Sequence, residues 1–357
     1  MSGCSKNTAE KAVPGWPKAE RFVVDKHPMT TCLITGAGGF VGAALARRLI
    51  DRLQGTARSD RQRLLLTDRV PRPAWCPAQH PDIHWVKGDI GSAALLDQLF
   101  AAPIDRIAHL AGVVSGAAEA NFDLGMQVNL DASRAILDRC MAQGQAGRAP
   151  RVVVASSIAV HGVPLPAAID DHTPPSPSLS YGVQKLILEL LIAELSRRGW
   201  IDGISLRLAG VVVRPALPNG ALSGFNSDLI RETLAGRRVV SPVSADAVIW
   251  LQSLQSASGA LDVALSSDGA APDGARVVQL PAVAASIREI LDAISEASGR
   301  DAHALVDFKP DTAIEPMFGR WPRVRHFERA HAMGLPADAG LAELIDTALR
   351  HAPESAT

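Results

Sequence analysis

A chain of 357 residues with a formal net charge of −1 is long enough to bury a substantial core in one large or two modest domains. It has no block of basic residues, which excludes an electrostatic footprint for nucleic acid or an anionic membrane surface. Cys4, Cys32, Cys76 and Cys140 are scattered without C-x-x-C spacing, and no run of about 18 apolar residues occurs, so the chain reads as a soluble cytoplasmic protein.

Residues 1–28 mix charge with Pro and Gly and read as a disordered, dispensable N-terminal extension, with the fold opening near Met29. Thr31-Cys-Leu-Ile-Thr-Gly-Ala-Gly-Gly-Phe-Val-Gly42 then runs into Ala43-Ala-Leu-Ala-Arg-Arg-Leu-Ile50. The apolar run predicts a buried strand and its continuation a helix, so Gly36, Gly39, Phe40, Val41 and Gly42 sit at the strand-to-helix turn. Free N–H groups and the positive end of the helix dipole make such a turn a candidate pyrophosphate cradle. The Gly36-x-x-Gly39-x-x-Gly42 spacing is one residue wider than the common dinucleotide fingerprint, and the reading leans on the flanking strand and helix.

A polar segment leads into Gln62-Arg-Leu-Leu-Leu-Thr-Asp68, a strand closed by a carboxylate. A carboxylate there suits the ribose hydroxyls of NAD and repels a 2′-phosphate. Arg69 beside it keeps NADP open, and Asp68 also fits a plain solvated strand end. Residues 83–90 read as a third strand with Asp89 at its acidic end, 93–100 as a short helix, and 104–112 as a fourth strand whose small end, Ala111-Gly112, lets backbone lie flat on a cofactor. Residues 118–143 read as one helix carrying Asn129, and 151–157 as a fifth strand. The alternation predicts an α/β fold, a Rossmann-like doubly wound parallel sheet with its ligand at the carboxyl ends of the strands.

Ser156-Ser157 closes the fifth strand, and a Pro-rich loop leads to Ser180-Tyr181-Gly-Val-Gln-Lys185 at the start of a long apolar helix. Tyr181 is the only tyrosine of the chain. The i,i+4 spacing puts Tyr181 and Lys185 on one helical face. A phenol ionises near pH 10, and a neighbouring ammonium favours the phenolate, which turns Tyr181 into a general base for an alcohol proton. Ser157 can hold the substrate oxygen; the alternative is a surface Tyr/Lys pair. Dispersed histidines without H-x-x-x-H leave a metal site unsupported, and the absence of Gly-x-Ser-x-Gly around Ser157 disfavours hydrolysis.

These motifs, with Gly88-Asp89, His109-Leu-Ala-Gly112, Asn129, Gly162 and Arg214-Pro215, resemble the extended short-chain dehydrogenase/reductase superfamily over residues 30–215. The resemblance implies that Tyr181 is the catalytic acid/base, that Lys185 lowers its pKa and holds the nicotinamide ribose of NAD, that Ser157 orients the reacting oxygen, and that Asn129 supports a proton relay. It also implies a homodimer paired through the helices bearing Asn129 and Tyr181. Within the superfamily, Tyr181-Gly-Val-Gln-Lys185, Val213-Arg-Pro-x-x-Pro-Asn219, Ser223-Gly-Phe225 and Ile230-Arg-Glu232 are similar to the D-erythronate dehydrogenase group, which oxidises C2 of a four-carbon sugar acid with NAD. A nucleotide-sugar epimerase using the same Ser/Tyr/Lys set is the alternative, and a non-catalytic NAD sensor a third. His161 stands where many members have Tyr and reads as a packed loop residue or a substrate contact.

The expected organisation is an NAD-binding domain over 29–215 and a small α+β substrate cap over 216–357, interleaved with the last sheet strands. Helices are expected at 225–235, 284–298 and 339–350, and a strand at 277–280. A sugar acid needs a cation or amide donors for its carboxylate. Arg231 is the candidate, unless it is a solvated partner of Glu232, with Asn219 and Ser227 as hydroxyl partners. Arg214 reads as structural.

Overall fold

The computed structural model describes residues 29–55, 62–216 and 222–350; the N-terminal extension, the polar segment 56–61 and Asn219 lie outside the described residues. Seven parallel strands form the main sheet, in the order Val277–Gln279, Asp202–Leu208, Arg151–Ser157, Arg106–His109, Thr30–Thr35, Gln62–Asp68, Ile83–Lys87. Alternate strand residues point to opposite faces, and this sheet buries both. Cys32 and Ile34 pack with the helices Phe40–Gly55 and Leu254–Ser266, while Leu33 packs with Ala93–Leu99, Ala132–Gln145 and Ser180–Arg197. Val153 and its neighbours Val152 and Val154 divide in the same way. Strand order reverses between Thr30–Thr35 and Arg106–His109, which opens a crevice at their carboxyl ends.

The later part of the chain returns to this sheet through Leu254–Ser266 and Val277–Gln279, and otherwise builds a second core. There Gly210–Val212, Val248–Ser253 and Val283–Ser286 form a three-stranded sheet, covered by the helices Gly224–Leu234, Ile287–Ser298 and Leu341–Arg350. Among the described residues no helix is long and apolar enough to cross a membrane.

Several elements differ from expectation. The helix expected over 118–143 is broken into Ser115–Ala120, Phe122–Gly125, a π-helical turn Met126–Asp131 and Ala132–Gln145; Asn129 lies in the π turn, whose extra residue per turn redirects its side chain toward Val113. The strands expected to reach residues 90 and 112 end at Lys87 and His109, where the chain turns toward the crevice. The helix expected from residue 284 begins at Ile287, because Ser286 caps it: its hydroxyl accepts the Glu289 N–H while the Glu289 carboxylate accepts the Ser286 N–H.

The glycine turn depends on close approach. Gly36 has φ +69°, and a Cβ on Gly42 would lie 2.0 Å from the Gly36 carbonyl oxygen. Gly42→Ala is therefore expected to push the helix from the turn, costing about 1–3 kcal/mol of stability and weakening NAD binding; chemical denaturation with and without NAD measures both, and an unshifted midpoint with unchanged NAD affinity would contradict it.

Candidate active site

A cavity of about 510 Å³ opens at the carboxyl ends of the strands, lined by the glycine turn on one side and by Ser157, Tyr181, Lys185 and Arg214 on the other. Gly36, Gly39, Phe40, Val41, Gly42 and Gly112 all reach it. Gly39 closes the turn by donating its N–H to the Gly36 carbonyl, 3.0 Å, and the helix starts at once with Ala43 N–H on the Gly39 carbonyl, 2.8 Å. Asp68 accepts the N–H groups of Gly38 at 2.9 Å and Val70 at 3.2 Å, so its carboxylate braces the rim of the turn. Asp89 is more remote, accepting the Gly91 N–H and pairing at 3.9 Å with Arg69. Ala111 helps close the floor through its N–H to Thr35 Oγ1, 3.3 Å. The turn thus offers a glycine-rich anion cradle at a helix N-terminus, and the residues fit a dinucleotide.

Tyr181 and Lys185 face the cavity from one turn of the helix, with Lys185 Nζ 5.5 Å from the centre of the phenol ring. Burial raises the Tyr181 pKa, opposed by the charge of Arg214 and by the Ser157 hydroxyl. Burial also pushes Lys185 down to about 8, opposed by Glu189 one turn further along. Lys185 is expected to supply a charge that favours the phenolate, and the structure adds Arg214 as a second cation acting on the phenol. Ser157 accepts the Ala159 N–H at 3.1 Å and still lines the cavity.

Asn129 is buried behind this wall. Its amide holds the loop that follows Gly112: Oδ1 accepts the Val113 N–H, 2.8 Å, and Nδ2 donates to Val113 O and to Gln184 Oε1. Its main-chain carbonyl accepts from the Ser133 hydroxyl, 2.8 Å. With that proton committed, His109 Nε2 must donate to Ser133, leaving Nδ1 to accept from Thr35. Burial, with the Lys185 charge second, holds His109 neutral, its pKa about 3.

The residues expected to bind substrate are placed differently. Arg231 Nε and Nη2 pair with Glu232, 2.9 Å, and Asp228, 2.5 Å, while Nη1 donates to the Arg214 carbonyl, 2.9 Å. Ser227 Oγ accepts the Arg214 N–H, 3.1 Å. Both side chains turn away from the cavity because this helical face packs on the segment leading to Arg214. Arg214, expected to be structural, lines the cavity, as do Ser223, Asn226 and the aromatic wall of Trp250, Phe318 and Trp321. Their sequence signal was weak: the rings come from segments far apart in the chain. His161 also lines the cavity; burial, with Arg207's charge second, pushes it down to about 4, and its Nε2 has no hydrogen-bond partner among the described residues.

Residues 32–251 match the NAD dependent epimerase/dehydratase family, and the chain belongs to that family. It is similar to the D-erythronate dehydrogenases of Cupriavidus necator and Haemophilus influenzae, with 41% and 32% identity, each comparison covering 88% of this chain and 96% of the relative. The solved nucleoside-diphosphate-sugar epimerase from Agrobacterium tumefaciens is 33% identical, with a TM-score of 0.80 over 93% of this chain and 98% of that one. The protein is thus an NAD-dependent dehydrogenase of the extended short-chain type.

Two neutral buried imidazoles make the fold acid-sensitive. Below about pH 6.5 the unfolded chain protonates both, whereas folded His161 and His109 resist protonation down to about 4 and about 3. Because the unfolded state binds more protons, stability falls as pH drops through this window, by up to about 1.4 kcal/mol per pH unit for each histidine. Urea denaturation between pH 7 and 4.5 should show the slope, and His161→Gln should lessen it; an unaltered slope in that variant would show that His161 is not the source.

Proposed function

We propose that this enzyme oxidises a secondary alcohol of a small sugar acid, D-erythronate to 2-dehydro-D-erythronate, with Tyr181 as general base. The observation that carries the reading is the meeting of Ser157, Tyr181 and Lys185 in the cavity that also contains the glycine turn. Identity of 41% to a D-erythronate dehydrogenase across nearly the whole of both chains supports the substrate.

In this reading the glycine turn holds the pyrophosphate of NAD, with Asp68 toward the adenosine ribose and Lys185 toward the nicotinamide ribose. Bound NAD supplies the acceptor for the C2 hydrogen and its electron pair. Ser157 donates a hydrogen bond to the reacting oxygen and orients it. The C2 hydroxyl proton passes to the Tyr181 phenolate oxygen as the C2 carbonyl forms, and Arg214 and Lys185 stabilise the phenolate before that transfer. Asn129, its side chain committed to Val113 and Gln184, acts in this scheme by fixing the loop over the cavity; any relay would run through its main-chain carbonyl.

The reading includes a homodimer and a cytoplasmic setting. Val183 and Leu190 are exposed apolar residues on the Tyr181 helix, which supports the first. The free thiols Cys32, Cys76 and Cys140 support the second.

NADH absorbance measured with D-erythronate, L-threonate and UDP-glucose tests the proposal. Wild-type protein should form NADH with D-erythronate, and Tyr181→Phe should lower kcat by at least about 100-fold while still binding NAD. Conversion of the UDP-sugar without net NADH, and no reaction with either acid, would place the protein among the epimerases.

A further inference from the structure

Arg214 is a partly buried cation at the cavity that pairs with no carboxylate among the described residues. Its Nε donates to the Val211 carbonyl at 3.3 Å, and the ionisable group nearest in effect is the Tyr181 phenol. The two arginines buried more deeply both meet a carboxylate: Arg151 meets Asp202 at 2.9 Å and Arg207 meets Glu189 at 2.7 Å. A cation taken from water without an anion is costly unless a ligand completes it.

The main chain of Arg214 is held from both sides. Ser227 accepts its N–H, Arg231 donates to its carbonyl, and Arg231 is itself locked by Asp228 and Glu232. One turn of the same helix carries Asn226, which lines the cavity, is 5% exposed, and has an Oδ1 with no hydrogen-bond partner among the described residues. A guanidinium on an anchored main chain and an unmatched amide oxygen therefore belong to residues that line one cavity with the glycine turn.

We propose that Arg214 and Asn226 form the subsite that selects a 2-hydroxy carboxylate, Arg214 taking the carboxylate and Asn226 accepting a hydroxyl further along the chain. This rests on the dehydrogenase reading above. A carboxylate on C1 adjoins the reacting C2 hydroxyl, which suits an arginine beside the catalytic phenol. Ser227 and Arg231 are positioning residues that act through Arg214.

The test compares initial rates with D-erythronate, glycolate and the uncharged polyol erythritol in wild type, Arg214→Met, Arg214→Lys and Asn226→Ala, with NAD affinity measured separately. Arg214→Met should raise KM for D-erythronate roughly 10- to 100-fold, reduce the preference for acid over erythritol by a similar factor, and leave NAD affinity unchanged. Arg214→Lys, which keeps the charge but not the planar fork, should lose less; it also serves if the Met variant fails to fold. Asn226→Ala should raise KM for D-erythronate and not for glycolate, which has no further hydroxyl. Activity in wild type with unchanged KM and acid preference in both Arg214 variants, or equal effects of Asn226→Ala on the two acids, would overturn the subsite alone. No NADH from wild type with any hydroxy acid would remove the functional reading and the subsite with it.

Discussion

The buried ammonium of Lys185 is the constraint on which the site depends. A cation with 7% exposure is disfavoured by its burial, and the charge of Glu189, four residues along the same helix, opposes that effect in part. Glu189 is itself buried and must be matched in turn: Arg207 donates to both of its oxygens and Ser156 donates to one of them. Ser156 and Arg207 are register partners on adjacent strands, so one carboxylate ties the helix to two strands of the sheet. Ser157 follows Ser156 directly, and Tyr181 lies one turn before Lys185. The network around Glu189 therefore also sets the separation of Ser157, Tyr181 and Lys185.

A second, uncharged network fixes the other side of the cavity. Thr35 ends the first strand, His109 ends its neighbour, and the two are joined to Ser133 and to the Asn129 carbonyl by a chain of hydrogen bonds with one consistent direction. A protonated imidazole would donate at both nitrogens and conflict with the Thr35 hydroxyl, whose oxygen already accepts the N–H groups of Leu110 and Ala111. Neutrality of His109 is thus a condition of the geometry as well as a result of burial. The π turn at Asn129 lets one residue bind both the loop beyond Gly112 and the end of this chain.

Legibility in the sequence followed the range of the interaction. The glycine turn and the Tyr181/Lys185 pair are local patterns whose spacing determines where the side chains go, and they lie together in the structure. The choice between Arg214 and Arg231 was not local. It depends on how the helix Gly224–Leu234 rotates over Val211–Arg214, a matter of which face buries Leu229, Ile230 and Leu234. The π turn was hidden because a single inserted residue leaves the apolar pattern of 118–143 nearly intact. Leu254–Ser266 was passed over for a different reason: packed between sheet and neighbouring helices, it is apolar over most of its surface and carries no clear stripe.

The aromatic wall explains why so few polar groups suffice. Trp250 donates from Nε1 to the Pro322 carbonyl at 2.8 Å, and its ring packs on Trp321 at 4.9 Å between centroids. This fastens the segment 317–322, which shares the cavity lining with the phenol. Apolar rings there cannot solvate charge, so they weaken the screening of every charge opposite them. In such surroundings the Arg214 charge opposes the effect of burial on the Tyr181 phenol, and the proposed subsite asks the same guanidinium to meet an incoming anion, which it cannot do in full for both. Under the proposed mechanism, an anion that draws the Arg214 charge toward itself would make a Tyr181 phenolate more basic as it binds. Recognition of a carboxylate and removal of the adjacent hydroxyl proton would then be coupled.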